Sequence, residues 1–184
     1  MKTLIRKLLR EVRTDPGDVS EDLGLFIDRN NFTLYNPKEK KVYAYMGIYK
    51  LKSGNYSVGG VAAEYGYGPL IYELVMSHIY PKALLPARDG DIRGGSINIW
   101  NRFLKRPDVE KKSLTKKDPD FSWEVYEEFG SGPGFKFIQT SYYYSGLKDL
   151  VKKLNKKANE YTYNGLDLKE VIDSGEDYWM GRYD

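Results

Sequence analysis

The chain has 184 residues, with 29 basic and 26 acidic side chains, a net charge of +3, no cysteine and one histidine, His78. The lack of cysteine excludes disulfides, iron–sulfur clusters, thiolate zinc sites and thiol nucleophiles, and the lone histidine excludes a multi-histidine metal centre and any two-histidine mechanism. The composition predicts a soluble globular protein of one-domain size, with a carboxylate-only Mg²⁺ site left open. Tyrosine is over-used, at 17 against 7 Phe and 3 Trp. Its apolar face and polar tip suit solvated sheets, grooves and interfaces.

In chain order, residues 2–13 predict a basic amphipathic helix, with Leu4, Ile5, Leu8, Leu9 and Val12 at helical spacing; Pro16 and Gly17 end it. Residues 24–36 read as strand, turn, strand, and 36–40 as a turn. Residues 40–65 carry the strongest sheet signal. Val42, Tyr43, Tyr45, Ile48 and Tyr49 form one strand, 52–55 a hairpin loop and 56–63 a second strand, where Gly59 and Gly60 suggest a bulge or a close backbone approach. A glycine loop at 65–68 leads into a helix with Pro69 in its first turn and Leu70, Ile71, Leu74, Val75 and Ile79 on one face. Residues 82–86 predict a short strand. Residues 94–106 predict a helix capped by Ser96, with Ile97, Trp100, Phe103 and Leu104 inward.

Residues 107–120 read as a charged surface excursion, 121–129 as either strand or helix, 130–134 as a flexible loop and 135–144 as a strand. A helix at 147–161 and a short one at 166–172 close the chain. The expected organisation is a single domain over 1–184, with a basic helix and loop at 1–20 and an acidic extension at 162–184. The expected fold is α+β: a mixed, mainly antiparallel central sheet with flanking helices. No apolar run approaches the roughly 18 residues of a membrane span, and 1–18 lacks the unbroken apolar core of a signal peptide. No membrane role and a cytoplasmic location are the expectations.

The chemistry points to 58–76, a strand, a G-x-G loop and a helix. A helix start leaves backbone N–H groups unpaired, and with the helix dipole they favour an anion. Gly66 and Gly68 let the backbone approach a phosphate, and a side chain at either is expected to obstruct it. The loop lacks the Lys-Ser/Thr ending of a P-loop, and Ile71 breaks the G-x-G-x-x-G dinucleotide fingerprint.

This order of elements resembles the GNAT superfamily of N-acetyltransferases, including its divergent and phage-encoded members. In that family a central strand enters a glycine-rich loop and helix that bind the acyl-CoA pyrophosphate, and the strand splays from the next one to admit the pantetheine arm. The resemblance runs over 42–106 and implies a central strand at 56–63, a pyrophosphate loop at 64–68, its helix at 69–77, a splayed neighbour at 82–86 and a following helix at 96–105. It implies acetyl-CoA or another acyl-CoA as cofactor, held by Val61, Ala62, Ala63, Tyr65, Gly66, Tyr67, Gly68, Pro69 and Leu70. The family loop opens with Gln or Arg, two residues and Gly-x-Gly or Gly-x-Ala; here Ala63 stands where the polar residue is usual.

Acyl transfer to an amine needs proximity, a polarised thioester carbonyl and a proton route, and no covalent nucleophile. Glu64, at the end of the central strand, is a candidate to orient or deprotonate the amine. Asp89, with Arg88 and Asp91, follows the splayed strand toward the acceptor side. Ser96 is a candidate leaving-group donor beside its capping role. The family commonly supplies a tyrosine from the helix after the splayed strand, and here that helix offers Trp100 and Phe103. Tyr80, Tyr142, Tyr143 or Tyr144 would have to replace it. The acceptor is left open among a small amine, a protein lysine and a nucleobase amine. Two other classes stand beside this one. A non-enzymatic component of a larger assembly, viral assemblies included, or of a homo-oligomer suits the tyrosines and the basic start. Nucleic-acid binding suits the basic runs at 1–13, 102–118 and 148–157, against a weak net charge.

Overall fold

The computed structural model describes residues 22–88, 92, 95–129 and 136–181. The helix expected at 2–13, the loop at 130–134 and the side chains of Asp89 and Asp91 lie outside them. The strands are β1 (Gly24–Asp28), β2 (Asn31–Asn36), β3 (Lys41–Lys50), β4 (Tyr56–Ala63), β5 (Leu84–Leu85), β6 (Glu110–Ser113) and β7 (Thr140–Tyr143). The helices are α1 (Gly68–Ile79), α2 (Gly95–Lys105), α3 (Trp123–Phe129), α4 (Lys148–Tyr163) and α5 (Leu168–Met180). The fold is mixed α+β, with an open, mostly antiparallel seven-stranded sheet in the order β1-β2-β3-β4-β5-β7-β6. The chain divides into two compact units built from interleaved segments.

The first unit holds residues up to 47, 60–75 and 147 onward. β1 and β2 form a hairpin with Phe26 opposite Thr33 and Ile27 opposite Phe32, and β3 continues it antiparallel. Phe26 and Tyr35 meet edge to face at 6.0 Å in a core with Val42, Ala158 and Val171. α4 buries Leu150, Val151, Leu154 and Ala158, the stripe its 3.6-residue period dictates. It lies close on β1, because a Cβ at Gly24 would stand 3.2 Å from the Cα of Ala158. Asn155 Nδ2 donates to the Leu25 carbonyl at 3.2 Å. α5 starts on Asp167, whose side chain accepts from the Lys169 amide at 2.8 Å. It is longer than the short helix expected at 166–172, and it is packed: Val171 and Gly175 are buried.

The second unit holds 48–59 and 76–146. Here β4 begins parallel to β5, with Tyr56 opposite Leu84 and Ser57 opposite Leu85. Trp100 and Phe103 of α2 are buried, and Trp100 packs on Tyr142 at 4.8 Å between centroids. The strand expected over 135–144 is shorter, since only Thr140–Tyr143 pairs. The preceding residues turn instead, because Thr140 Oγ1 donates to the Lys136 carbonyl at 2.8 Å and the Tyr142 hydroxyl to that of Phe137 at 3.1 Å. The charged stretch read as a surface excursion contains β6, which pairs antiparallel with β7 at one end of the sheet order. Its four residues, EKKS, bury little, which suits a charged edge strand. The ambiguous segment 121–129 resolves as helix α3.

After β6, Asp118 Oδ2 accepts from the Thr115 amide and hydroxyl, both at 2.8 Å, and Lys112 Nζ donates to Oδ1 at 3.1 Å. The Thr115 amide, then its hydroxyl, then Lys112 hold the Asp118 carboxyl down to about 2. A depressed folded value means this contribution is present above the ordinary aspartate range and is lost as pH falls toward about 2. Carbon-detected titration of the native protein should therefore place the Asp118 midpoint well below the ordinary aspartate value, and Thr115→Ala should raise it. An ordinary midpoint in the native chain would contradict the turn geometry.

Candidate functional site

The last half of β4, the glycine loop and the start of α1 belong to the first unit. The Glu64 amide donates to the Tyr43 carbonyl at 2.9 Å, carrying the strand's alignment into the loop. The Tyr67 amide donates back to the Glu64 carbonyl at 2.9 Å, closing a turn, and the Ile71 amide donates to the Tyr67 carbonyl at 3.0 Å, starting the helix. Gly66 has φ +86°, a left-handed conformation open to glycine at little cost. Gly68 opens α1 with helical backbone, so the conformational demand for glycine falls on Gly66 rather than on both.

This wiring decides which amides the helix start has to offer. That of Tyr67 is used by the turn, and Pro69 has none. The amides of Gly68 and Leu70 are the ones in the first turn that neither the helix ladder nor Pro69 accounts for. Of the side chains expected at the loop, Ala62 and Leu70 are buried, Tyr65 is 81% exposed, and Val61, Ala63, Glu64, Gly66, Tyr67, Gly68 and Pro69 lie between those extremes.

The close backbone approach expected near Gly59 and Gly60 falls on Gly60. A Cβ there would stand 2.7 Å from Cε2 of Trp179. The next turn of contacts from α5 reaches the loop itself, where the Tyr178 hydroxyl donates to Glu64 Oε1 at 3.3 Å. On the other side Tyr67 packs against Tyr43 with ring centroids 4.8 Å apart and planes tilted at 51°, and the Tyr43 hydroxyl donates to Glu39 Oε2 at 2.5 Å. Lys41 Nζ lies 5.0 Å from the Tyr43 ring centroid. Burial first, then Glu39 and Glu64, push the Tyr67 phenol up; burial and the Glu39 hydrogen bond do the same to Tyr43. Both phenols are therefore neutral O–H groups at physiological pH. The cluster thus sets two carboxylates, Glu39 and Glu64, around two packed tyrosines, with Tyr178 on Glu64.

Tyr43, Glu39 and Tyr178 were not singled out from the sequence. Tyr43 reads there only as a strand former and Tyr178 only as part of the acidic extension at 162–184. The period-2 alternation of β3 was the available pointer to Tyr43. For Tyr178, 114 residues from its partner, no local signal exists.

The remaining candidates lie in the second unit. Tyr80 follows α1, donates its amide to the Met76 carbonyl at 3.1 Å and is 37% exposed. Ser96 stands inside the first turn of α2, which begins at Gly95, so it is not the flanking cap the sequence suggested. Tyr142 is fully buried with its hydroxyl committed to Phe137, and Tyr144 stacks on the Arg106 guanidinium at 5.1 Å. Arg88 is a structural hub: it donates to the carbonyls of Pro86, Asp120 and Ile138 and to Gln139 Oε1. Its own amide donates to the Tyr49 hydroxyl and its carbonyl accepts from Ser122 Oγ. The Asp89 carboxylate lies outside the described residues. His78 is in the last turn of α1 and exposed.

Among the described residues no helix is long and apolar enough to cross a membrane. Compared with protein-family models, with curated proteins and with solved structures, the chain has no significant match to any of them.

Proposed function

We propose that this chain is an acyl-CoA-dependent N-acyltransferase of GNAT-like architecture, acting on an amine. The observation that carries the reading is the path of β4: it enters a left-handed turn at Gly66 and delivers the start of α1 with the Gly68 and Leu70 amides in hand. A second feature agrees with it. The parallel pairing of β4 with β5 covers Tyr56 and Ser57 alone, while β4 itself runs on to Ala63.

The loop fits a phosphate through its backbone: Gly66 contributes no side chain, and helix-start amides with the dipole behind them favour an anion. No basic side chain occurs in 64–70, so those amides and the nearby Lys41 are the means of holding a pyrophosphate. Bound acyl-CoA would contribute the activated thioester. Glu64 and Glu39 attract a protonated amine by charge. Glu64, oriented by the Tyr178 hydroxyl, accepts the proton that makes the amine nucleophilic.

Acetyl-CoA at about a hundred times its Kd should raise the melting temperature by roughly 5–10 °C, as expected for about 2.7 kcal/mol of linkage in a chain of this size. Gly66→Val should abolish that shift in a variant whose circular dichroism still reports the native fold. Calorimetry showing no heat with acetyl-CoA or CoA at millimolar concentration would overturn the reading.

A further inference from the structure

A separate cluster lies in the second unit, on α3 and the turn before it, and has no part in the acyl-transfer reading. Phe121, Trp123 and Tyr126 pack together. Trp123 and Tyr126 stand 6.0 Å apart with their planes at 80°, so they form two walls of a corner. Phe121 backs that corner, 5.3 Å from Trp123 and 5.6 Å from Tyr126. Trp123 is 51% exposed.

The corner holds a cation. Lys116 Nζ lies 5.0 Å from the Trp123 centroid and 4.6 Å from that of Tyr126. Both distances fall within the roughly 6 Å reach of a cation–π contact. The neighbouring charges on α3, Glu124 and Glu127, are exposed and negative, and they reinforce the attraction for a positive group. Lys112, on β6, is already paired with Asp118 at 3.1 Å.

We propose that the Trp123–Tyr126 corner is a recognition site for a methylated lysine of a partner polypeptide, with Lys116 as the resident surrogate that the partner displaces. The surrogate identifies the ligand's chemistry: it is an alkylammonium on a flexible stem, presented by a segment of chain. It also explains why methylation is required. Lys116 is tethered two residues beyond Leu114 and competes at the millimolar effective concentration of a short linker. An unmodified lysine from another chain has the same strongly hydrated ammonium and gains nothing over it. A trimethylammonium has no N–H to leave unsolvated and presents an apolar cationic surface to both rings, the recognition that aromatic cages perform.

The test follows the Trp123 indole N–H in proton–nitrogen spectra of the full chain, assigned by its loss in Trp123→Phe. A peptide carrying one trimethyllysine should shift this resonance saturably at millimolar concentration, and the unmethylated peptide should not. In Lys116→Ala the same shift should saturate at a several-fold lower peptide concentration, because the competing surrogate is gone. Tyr126→Leu, which removes one wall, should weaken the response at least several-fold with the other indole resonances unmoved. No saturable shift in Lys116→Ala with the methylated peptide overturns the proposal. So does equal binding of the two peptides, or a response to choline and tetramethylammonium that the peptide fails to produce, which would make the corner a small-molecule site.

Discussion

Replacing Glu64 with glutamine should lower amine acylation by about 10²–10⁴-fold, the range for removing a general base, while the rise in melting temperature with acetyl-CoA persists. The substitution keeps the shape of the side chain and an oxygen that can still accept from the Tyr178 hydroxyl, so the loop keeps its partner from α5. What is lost is the negative oxygen pair at the end of β4 that can take a proton. The amides of Gly68 and Leu70 are untouched, so phosphate contacts should remain. Steady-state rates with a panel of amines, read beside thermal shift, separate the two effects. Full activity in Glu64→Gln would remove Glu64 from the chemistry and leave base function to water. Loss of the thermal shift together with activity would mean that the residue builds the loop rather than serving the reaction. Tyr178→Phe should have a smaller effect, because it positions Glu64 without carrying the proton.

Replacing Gly175 with valine should cost about 3 kcal/mol, at the upper end for overpacking a fixed interior, and lower the melting temperature by roughly 6–12 °C in a chain of this size. A Cβ at this position would stand 2.8 Å from Thr33 Oγ1 and 2.9 Å from Tyr45 Cδ2. Neither neighbour can retreat. Thr33 is fully buried in β2, and the Tyr45 hydroxyl is held by Asn31 Oδ1 at 3.0 Å, with Asn31 in turn donating to Glu176 at 3.2 Å. α5 must therefore lift from the strands, against the slight helix-propensity gain of leaving glycine. Gly95→Ala is the control, since a Cβ there meets nothing within 4 Å among the described residues. An unchanged melting temperature in Gly175→Val would mean that α5 does not rest on β2 and β3 as described.

The sheet was largely legible in the sequence. The alternation in 41–50 and 56–63, the turn residues between them and the apolar stripe from Leu70 to Ile79 each have a local physical cause, and each gave its element nearly residue for residue. β6 was not legible, because an edge strand buries little and EKKS carries no apolar alternation. The start of the 135–144 run departs from the expectation for the opposite reason: aromatic residues imply a strand, but the bonds from Thr140 and Tyr142 back to Lys136 and Phe137 turn the chain first. The glycine loop was legible as a loop and a helix start, with Gly66 and Gly68 marked alike for their missing side chains. Which amides it leaves available was not, since that depends on the Tyr67-to-Glu64 bond. Nor was the approach of Tyr178 and Trp179, which pairs the end of the chain with its middle.

That pairing sets a schedule. Asn31 and Glu176 are 145 residues apart, so β2 leaves the ribosome long before the helix that covers it. At about 5–20 residues per second the interval is roughly 7–30 s. Collapse and hairpin formation take microseconds, so the β1–β3 strands are available for almost all of that time with Thr33, Tyr45 and the neighbouring core residues still lacking α5. The carboxylate at Glu64 likewise waits for Tyr178, and the acidic-aromatic cluster is completed only after the 114 residues that separate them have been translated. For this protein, translation rate and the occupancy of nascent-chain chaperones act on the same surface, and slowing synthesis near codons 165–180 would lengthen the exposure of that surface rather than help the chain to fold.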